Sequence, residues 1–210
     1  MAKPMSPSKS ITKGQIGKFY DVLEAAMLKS GLPSEETQKV LEIQGVEIAE
    51  EFVQSVRKRV EAISKLIVRY VKGVNRSQDP QQALDATGRV QYTDKTVVDS
   101  MPRGEGEEKE VVFFKPRPEA FKNGIISDDD LEKEYEFVGL KPVDPYSLAK
   151  VNTDDPAFAD AHPNATHWKD TNGKWCYAAF RRWFGGRRCV DVDRDDYDWN
   201  DRWLFAGARK

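Results

Sequence analysis

At 210 residues the chain has room for one ordinary domain or two small ones. An apolar fraction of 39% against 32% charged residues argues against a single large core and places the chain among soluble, rather polar proteins. The net charge of −2 is uneven: 12 basic and 9 acidic residues over 1–75 give +3, 11 and 19 over 76–161 give −8, and 10 and 7 over 162–210 give +3. An acidic middle between mildly basic ends argues against a protein that coats nucleic acid.

Residues 1–10 read as a disordered tail. They lack the apolar stretch of about 7 to 15 residues of a signal peptide, and no run in the chain approaches the roughly 18 apolar residues of a membrane span. The expectation is a cytoplasmic protein with no membrane partner. Ile11 to Ser30 then carries Ile16, Phe19, Tyr20, Leu23 and Met27 at helical spacing, and Gly31 and Pro33 end it. Ser34 reads as the N-cap of a second helix, with Glu35 and Glu36 favourably placed at the positive end of its dipole.

In that second helix Val46, Val53, Val60, Ile67 and Val74 recur every seven residues, with Ala49, Val56, Ile63 and Tyr70 between them. This is an a/d heptad whose a positions are all β-branched, the choice that favours two strands in parallel coiled coils. At ~1.5 Å per residue, Ser34 to Val74 would be about 60 Å long. Val46, Ala49, Val53, Val56, Val60, Ile63, Ile67 and Tyr70 are therefore the candidate oligomer seam, with a dimer favoured. Ile48, Phe52 and Leu66 widen the stripe, so one flank has room for the first helix in a hairpin, and wholly internal packing is the alternative. Lys58, Lys65 and Lys72, joined by Arg57, Arg59 and Arg69, offer a phosphate backbone a basic face. Glu47, Glu50, Glu51 and Glu61 on the same helix make a solvated surface the favoured reading.

Residues 76–108 read as a connector rich in turn signals, with at most a short helix after Asp79-Pro80. Residues 109–161 read as a small α/β or irregular segment: a buried strand at Val111 to Lys115, then a helix capped by Ser127 with Leu131, Tyr135 and Val138 facing inward. Asp128, Asp129 and Asp130 invite a metal, but consecutive acids on a helix point in different directions and suit its dipole better. Asp144-Pro145 and Asp155-Pro156 mark two further short helical turns.

All five tryptophans, both cysteines and both histidines fall within 162–210, read as a Trp-rich antiparallel β module. Asn172-Gly173 and Gly185-Gly186 supply hairpin signals between strands near 166–171, 174–183 and 187–194, and a fourth strand is expected near 202–209. Two-residue loops would set Trp168 opposite Tyr177, Ala179 opposite Val192 and Trp183 opposite Arg188. Most of the tryptophans would then share one face, and Cys176 and Cys189 would lie too far out of register for a disulfide.

Large rings are the natural core of so short a module. The competing reading is a platform on which rings interleaved with arginines bind bases, sugars or a peptide. Its candidate residues are Arg181, Trp183, Arg188, Trp199 and Trp203, the last two expected to be exposed. Asp191, Asp193, Asp195, Asp196 and Asp198 resemble a calcium loop but lack its glycine and closing glutamate, so no metal and no cofactor is expected. Alternate acids can instead pair with Arg182, Arg194 and Arg202. Cys176 and His167 in neighbouring strands are the only nucleophile and base that this geometry allows, and no third residue orients them.

Gly139-Leu140-Lys141-Pro142, Asp155-Pro156-Ala157-Phe158-Ala159-Asp160, Trp168-Lys169-Asp170, Gly173-Lys174-Trp175-Cys176-Tyr177 and Phe205-Ala206-Gly207 resemble a group of small uncharacterised bacterial proteins with a Trp-rich C-terminal β module. The resemblance covers roughly residues 80–210 and implies a recurring module without an assigned activity. The expected class is α+β: a helical hairpin and stem over 11–75 with one long heptad-patterned helix, an irregular acidic middle, and a C-terminal antiparallel β meander. The expected function is a non-enzymatic interaction or scaffold protein. It would self-associate through the long helix and present its β module to a protein partner. Nucleic-acid binding through the basic helix face or the Arg/Trp sheet face is the second reading, and a Cys- or Asp-based hydrolase the third.

Overall fold

The computed structural model describes residues 11–64, 66–107, 109–183, 185–194 and 198–210, the side chains of Lys58 and Ser64 excepted. The expected tail at 1–10 lies outside the described residues. The chain separates into a helical unit that ends at Ile63 and a sheet unit from Ser64 to Lys210. The class is α+β as expected, with helices first and an antiparallel-rich sheet after them.

The helical unit holds α1 (Lys13–Lys29) and most of α2 (Ser34–Ser64). Thr12 and Gln15 close a reciprocal capping box at the start of α1, satisfying two backbone donors that would otherwise be orphaned. Ser34 is the first helical residue and not the cap, since the Thr37 amide and hydroxyl both reach the Pro33 carbonyl. Phe19 stacks on Phe52 at 4.6 Å between ring centroids, tying the two helices together. No described residue from 11 to 63 is buried.

The long helix stops at Ser64, ten residues short of the expected end at Val74. Ile67 and Tyr70 instead belong to β1 (Ile67–Val71), paired antiparallel with β3 (Lys109–Phe114) from Ile67 opposite Phe113 to Val71 opposite Lys109. The heptad spacing continues across that boundary by coincidence. Ile67, Val68, Tyr70 and Val71 are β-branched or aromatic, and a partner strand of the same character offers ladder hydrogen bonds and burial that a solvated helix end lacks.

Between them the chain carries α3 (Pro80–Asp85), β2 (Val90–Thr93) and α4 (Lys95–Asp99), so the stretch 76–108 is more structured than a connector. After β3 come a 3-10 turn (Pro118–Ala120), β4 (Ile125–Ile126), α5 (Asp128–Phe137), β5 (Leu140–Pro142), α6 (Pro145–Asp154) and α7 (Phe158–Ala161). The C-terminal third holds β6 (Asn164–Lys169), β7 (Trp175–Arg182), β8 (Arg188–Arg194), β9 (Trp199–Asn200) and β10 (Leu204–Arg209).

The main sheet runs β1-β3-β10-β6-β7-β8-β2, with β5 also on β10, while β4 and β9 form a separate pair. The last strand does not extend the β6-β7-β8 meander. β10 crosses over to lie between β3 and β6, antiparallel to the first and parallel to the second. Gly207 lets β5 approach there, because a Cβ on it would fall 2.9 Å from the Leu140 Cβ.

Both hairpins close one residue away from the expected register. Trp168 stands opposite Cys176, Ala179 opposite Asp191 and Arg182 opposite Arg188. In the first hairpin the Asp170 carboxylate accepts from the amides of Asn172 and Lys174, and the Gly173 amide donates to the Asp170 carbonyl. That makes a three-residue loop with Gly173 at φ 77°, the left-handed position such loops require. A slip of one residue exchanges partners and faces. Trp168, Cys176, Ala178, Phe180, Val190 and Val192 therefore face one way, into a core with helices α3, α4, α6 and α7. Ala165, Tyr177 and Ala179 face the other, into a core built by α5 with Trp199, Trp203 and Phe205. The strands are buried on both sides, so the expected division into a ring face and a polar face does not hold.

Candidate functional site

α5 begins where Ser127 accepts from the Asp130 amide, and its first turn carries three acids. As expected of consecutive helical positions they diverge, but each has a partner of its own. Asp128 contacts Nδ1 of His167 and accepts from Trp199 Nε1 at 3.1 Å, Asp129 accepts from Trp175 Nε1 at 3.2 Å, and Asp130 pairs with Lys122 and Lys133. One turn on, Glu132 Oε1 lies 2.8 Å from Nε2 of His167.

His167 is consequently clamped between two carboxylates at 1% exposure. Its ring stacks on Trp175 at 4.5 Å and 11°, and on Tyr135 at 5.4 Å and 25°. Burial drives the imidazole toward its neutral form, but the hydrogen bonds and charges of Asp128 and Glu132 outweigh it, so the pKa lies above its ordinary value. Protonated, the ring donates from both nitrogens and has no lone pair to act as a base. The Tyr135 hydroxyl donates to the Ala206 carbonyl at 2.9 Å, and burial pushes its pKa well up.

Over this cluster lies a cleft of about 560 Å³, walled by Pro142, Trp168 and Trp175 with Asp129, Glu132 and Lys169 at its polar edge. Lys169 Nζ sits 4.4 Å above the Trp175 ring, a cation-π contact that covers the indole on the solvent side. Asp144 and Val143 reach the same cleft, and Asp144 is already held by Arg76 and by Ser147. No group of three histidine, cysteine or acidic side chains among the described residues is arranged to hold a metal ion.

Comparison with protein families, curated proteins and solved structures finds no significant match. The site therefore rests on its own geometry.

Cys176 does not meet His167. Tyr177 is the direct partner of His167 and Cys176 points to the opposite face, where burial raises its thiol pKa. The nucleophile-and-base pairing of the sequence reading fails because it depended on the two-residue loop. Cys176 and Cys189 are both buried and free.

The candidate platform residues separate. Trp199 and Trp203 are buried, at 6% and 7% exposure, and pack edge-to-face at 5.4 Å, which corrects the expectation that they are exposed. Trp183 is the exposed tryptophan, with Arg181 4.2 Å over its ring and Tyr92 at 5.9 Å. Arg181 pairs with Asp191, and Arg188 grips Asp160 through two nitrogens, so both arginines have carboxylates beside them. Among the described residues, the Arg194 amide donates to Asp193 while its side chain lies by Asp94 and Asp170, and the Arg182 side chain lies by Asp160. Asp195 and Asp196 lie outside the described residues.

The seam residues from Val46 to Ile63 lie on α2, while Ile67 and Tyr70 lie on β1. Sequence reasoning missed the His167 clamp. The signal was an acidic triplet followed by Glu132 one turn later, paired with the only histidine in a strand.

Proposed function

We propose that the chain is a non-enzymatic interaction protein that dimerises through α2 and presents its sheet unit to a protein partner. The observation that carries this reading is the stripe Val46, Val53, Val60 and Ile63, whose exposures run from 52% to 85%. Val40, Leu41 and Ile43 extend exposed apolar surface toward the start of the helix. A 31-residue helix with β-branched residues every seventh position and no buried residue among those described gains little from propensity alone and needs a packing partner. A second copy of the chain supplies the same stripe in register. The seam runs from Val46 to Ile63 and excludes Ile67 and Tyr70.

No helix among the described residues is long and apolar enough to cross a membrane. A reducing cytoplasm suits two unpaired cysteines buried on opposite sheet faces. The test is the mass of the full chain in solution. Wild type is expected to sediment as a dimer and the Val53→Asp, Val60→Asp double variant as a monomer with its sheet intact. A wild-type monomer at high concentration overturns the reading.

A further inference from the structure

A second cavity, of about 400 Å³, opens at the other end of β7 and β8 and is lined by Gly88, Val90, Asp160, Arg182, Arg187 and Arg188, with Gly186 at its rim. Arg89 lies between two of the lining residues and is itself 6% exposed. Its Nη2 donates to the carbonyl of Pro156 at 2.9 Å and to Asn152 Oδ1 at 3.3 Å, but its Nε and Nη1 have no hydrogen-bond partner among the described residues. A buried guanidinium with two unmet donors is costly, and its charge stays, because arginine does not deprotonate in proteins. Burial and the charge of Arg188 both act against the Arg89 cation, and Asp160 acts for it.

Three guanidinium groups, those of Arg182, Arg187 and Arg188, line this space, and the Arg89 cation lies close enough to feel the charges of Arg188 and Asp160; Asp160 is the acid in contact and Asp155 lies further off. Arg188 is already bidentate on Asp160, and Arg182 Nε donates to the Gly186 carbonyl at 3.1 Å. Arg187 is exposed at the mouth. Excess positive charge of this kind calls for a dianion, and donors arriving from several directions suit a tetrahedral oxyanion better than a planar carboxylate. A volume of about 400 Å³ exceeds what a bare oxyanion fills and leaves space for a small organic group.

We propose that this cavity binds the phosphate group of a small phosphomonoester. Titration calorimetry on the full chain tests it with glycerol phosphate, inorganic phosphate and acetate at matched ionic strength. Glycerol phosphate is expected to give one saturable site per chain, inorganic phosphate to bind the same site more weakly, and acetate to bind at least tenfold more weakly than the ester. Arg187→Gln, an exposed change, is expected to weaken the ester about tenfold with an unchanged circular dichroism spectrum. Arg89→Lys keeps the charge but loses the planar fork, and a similar loss is expected. If Arg89→Lys fails to fold, Arg187→Gln and Arg182→Gln decide. No saturable heat with the wild type, equal affinity for acetate, inorganic phosphate bound while the ester is rejected, or unchanged affinity in the two surface variants would each overturn the proposal.

Discussion

His167 has a carboxylate on each ring nitrogen and the rings of Tyr135 and Trp175 stacked on it. Its pKa is raised in the folded chain, so the stabilisation it confers is complete below the unfolded value of about 6.5 and is lost as pH climbs through the folded one. The ring is expected to titrate above about 6.5 by NMR, with unfolding free energy falling over the same range. A ring that titrates below that value contradicts the clamp. Asp128→Asn removes one carboxylate from a buried charged pair and is expected to cost about 3 kcal/mol in denaturant unfolding, together with a downward shift of the His167 titration. Gly104 is a second sensitive position. It sits at φ 67°, and a Cβ there would lie 2.4 Å from the Asp144 carboxyl that Arg76 and Ser147 hold. Gly104→Ala is expected to lower stability by about 2 kcal/mol, with the backbone strain itself accounting for roughly half.

Among the elements, α2 and the β6-β7-β8 hairpins show what a sequence discloses and where it stops. Apolar periodicity places both helices and their start, because helix formation depends on residues three and four apart in the same segment. The Asn172-Gly173 turn places the first hairpin. The register, however, depends on the Asp170 carboxylate reaching two amides across the loop, a contact between residues that spacing alone does not reveal. One residue of loop length then decides that His167 stacks on Trp175 and that Cys176 turns away. The end of α2 was illegible for another reason: the partner of β1 lies some forty residues downstream in β3, and only that pairing makes strand preferable to helix at Ile67. The position of β10 between β3 and β6 is likewise a long-range choice. Asp170→Ala is expected to loosen the first hairpin by about 1 kcal/mol, read as faster hydrogen exchange at the Lys174 amide.

For the molecule as a whole, the tryptophans are convenient reporters because all five lie in the sheet unit and none in the helical one. Near-ultraviolet dichroism and indole fluorescence therefore follow the sheet, while a large part of the far-ultraviolet helical signal follows residues 13–63. Because no described residue of the helical unit is buried, dilution is expected to reduce the helical signal and leave the indole signal unchanged. A helical signal that holds constant on dilution would mean that the helices need no second copy. Dimerisation through α2 is tested most directly by sedimentation equilibrium of the full chain, whose monomer mass is 23.9 kDa. The wild type is expected at twice that mass, falling to the monomer value in the Val53→Asp, Val60→Asp variant. The monomer mass for the wild type across the accessible concentration range would contradict it.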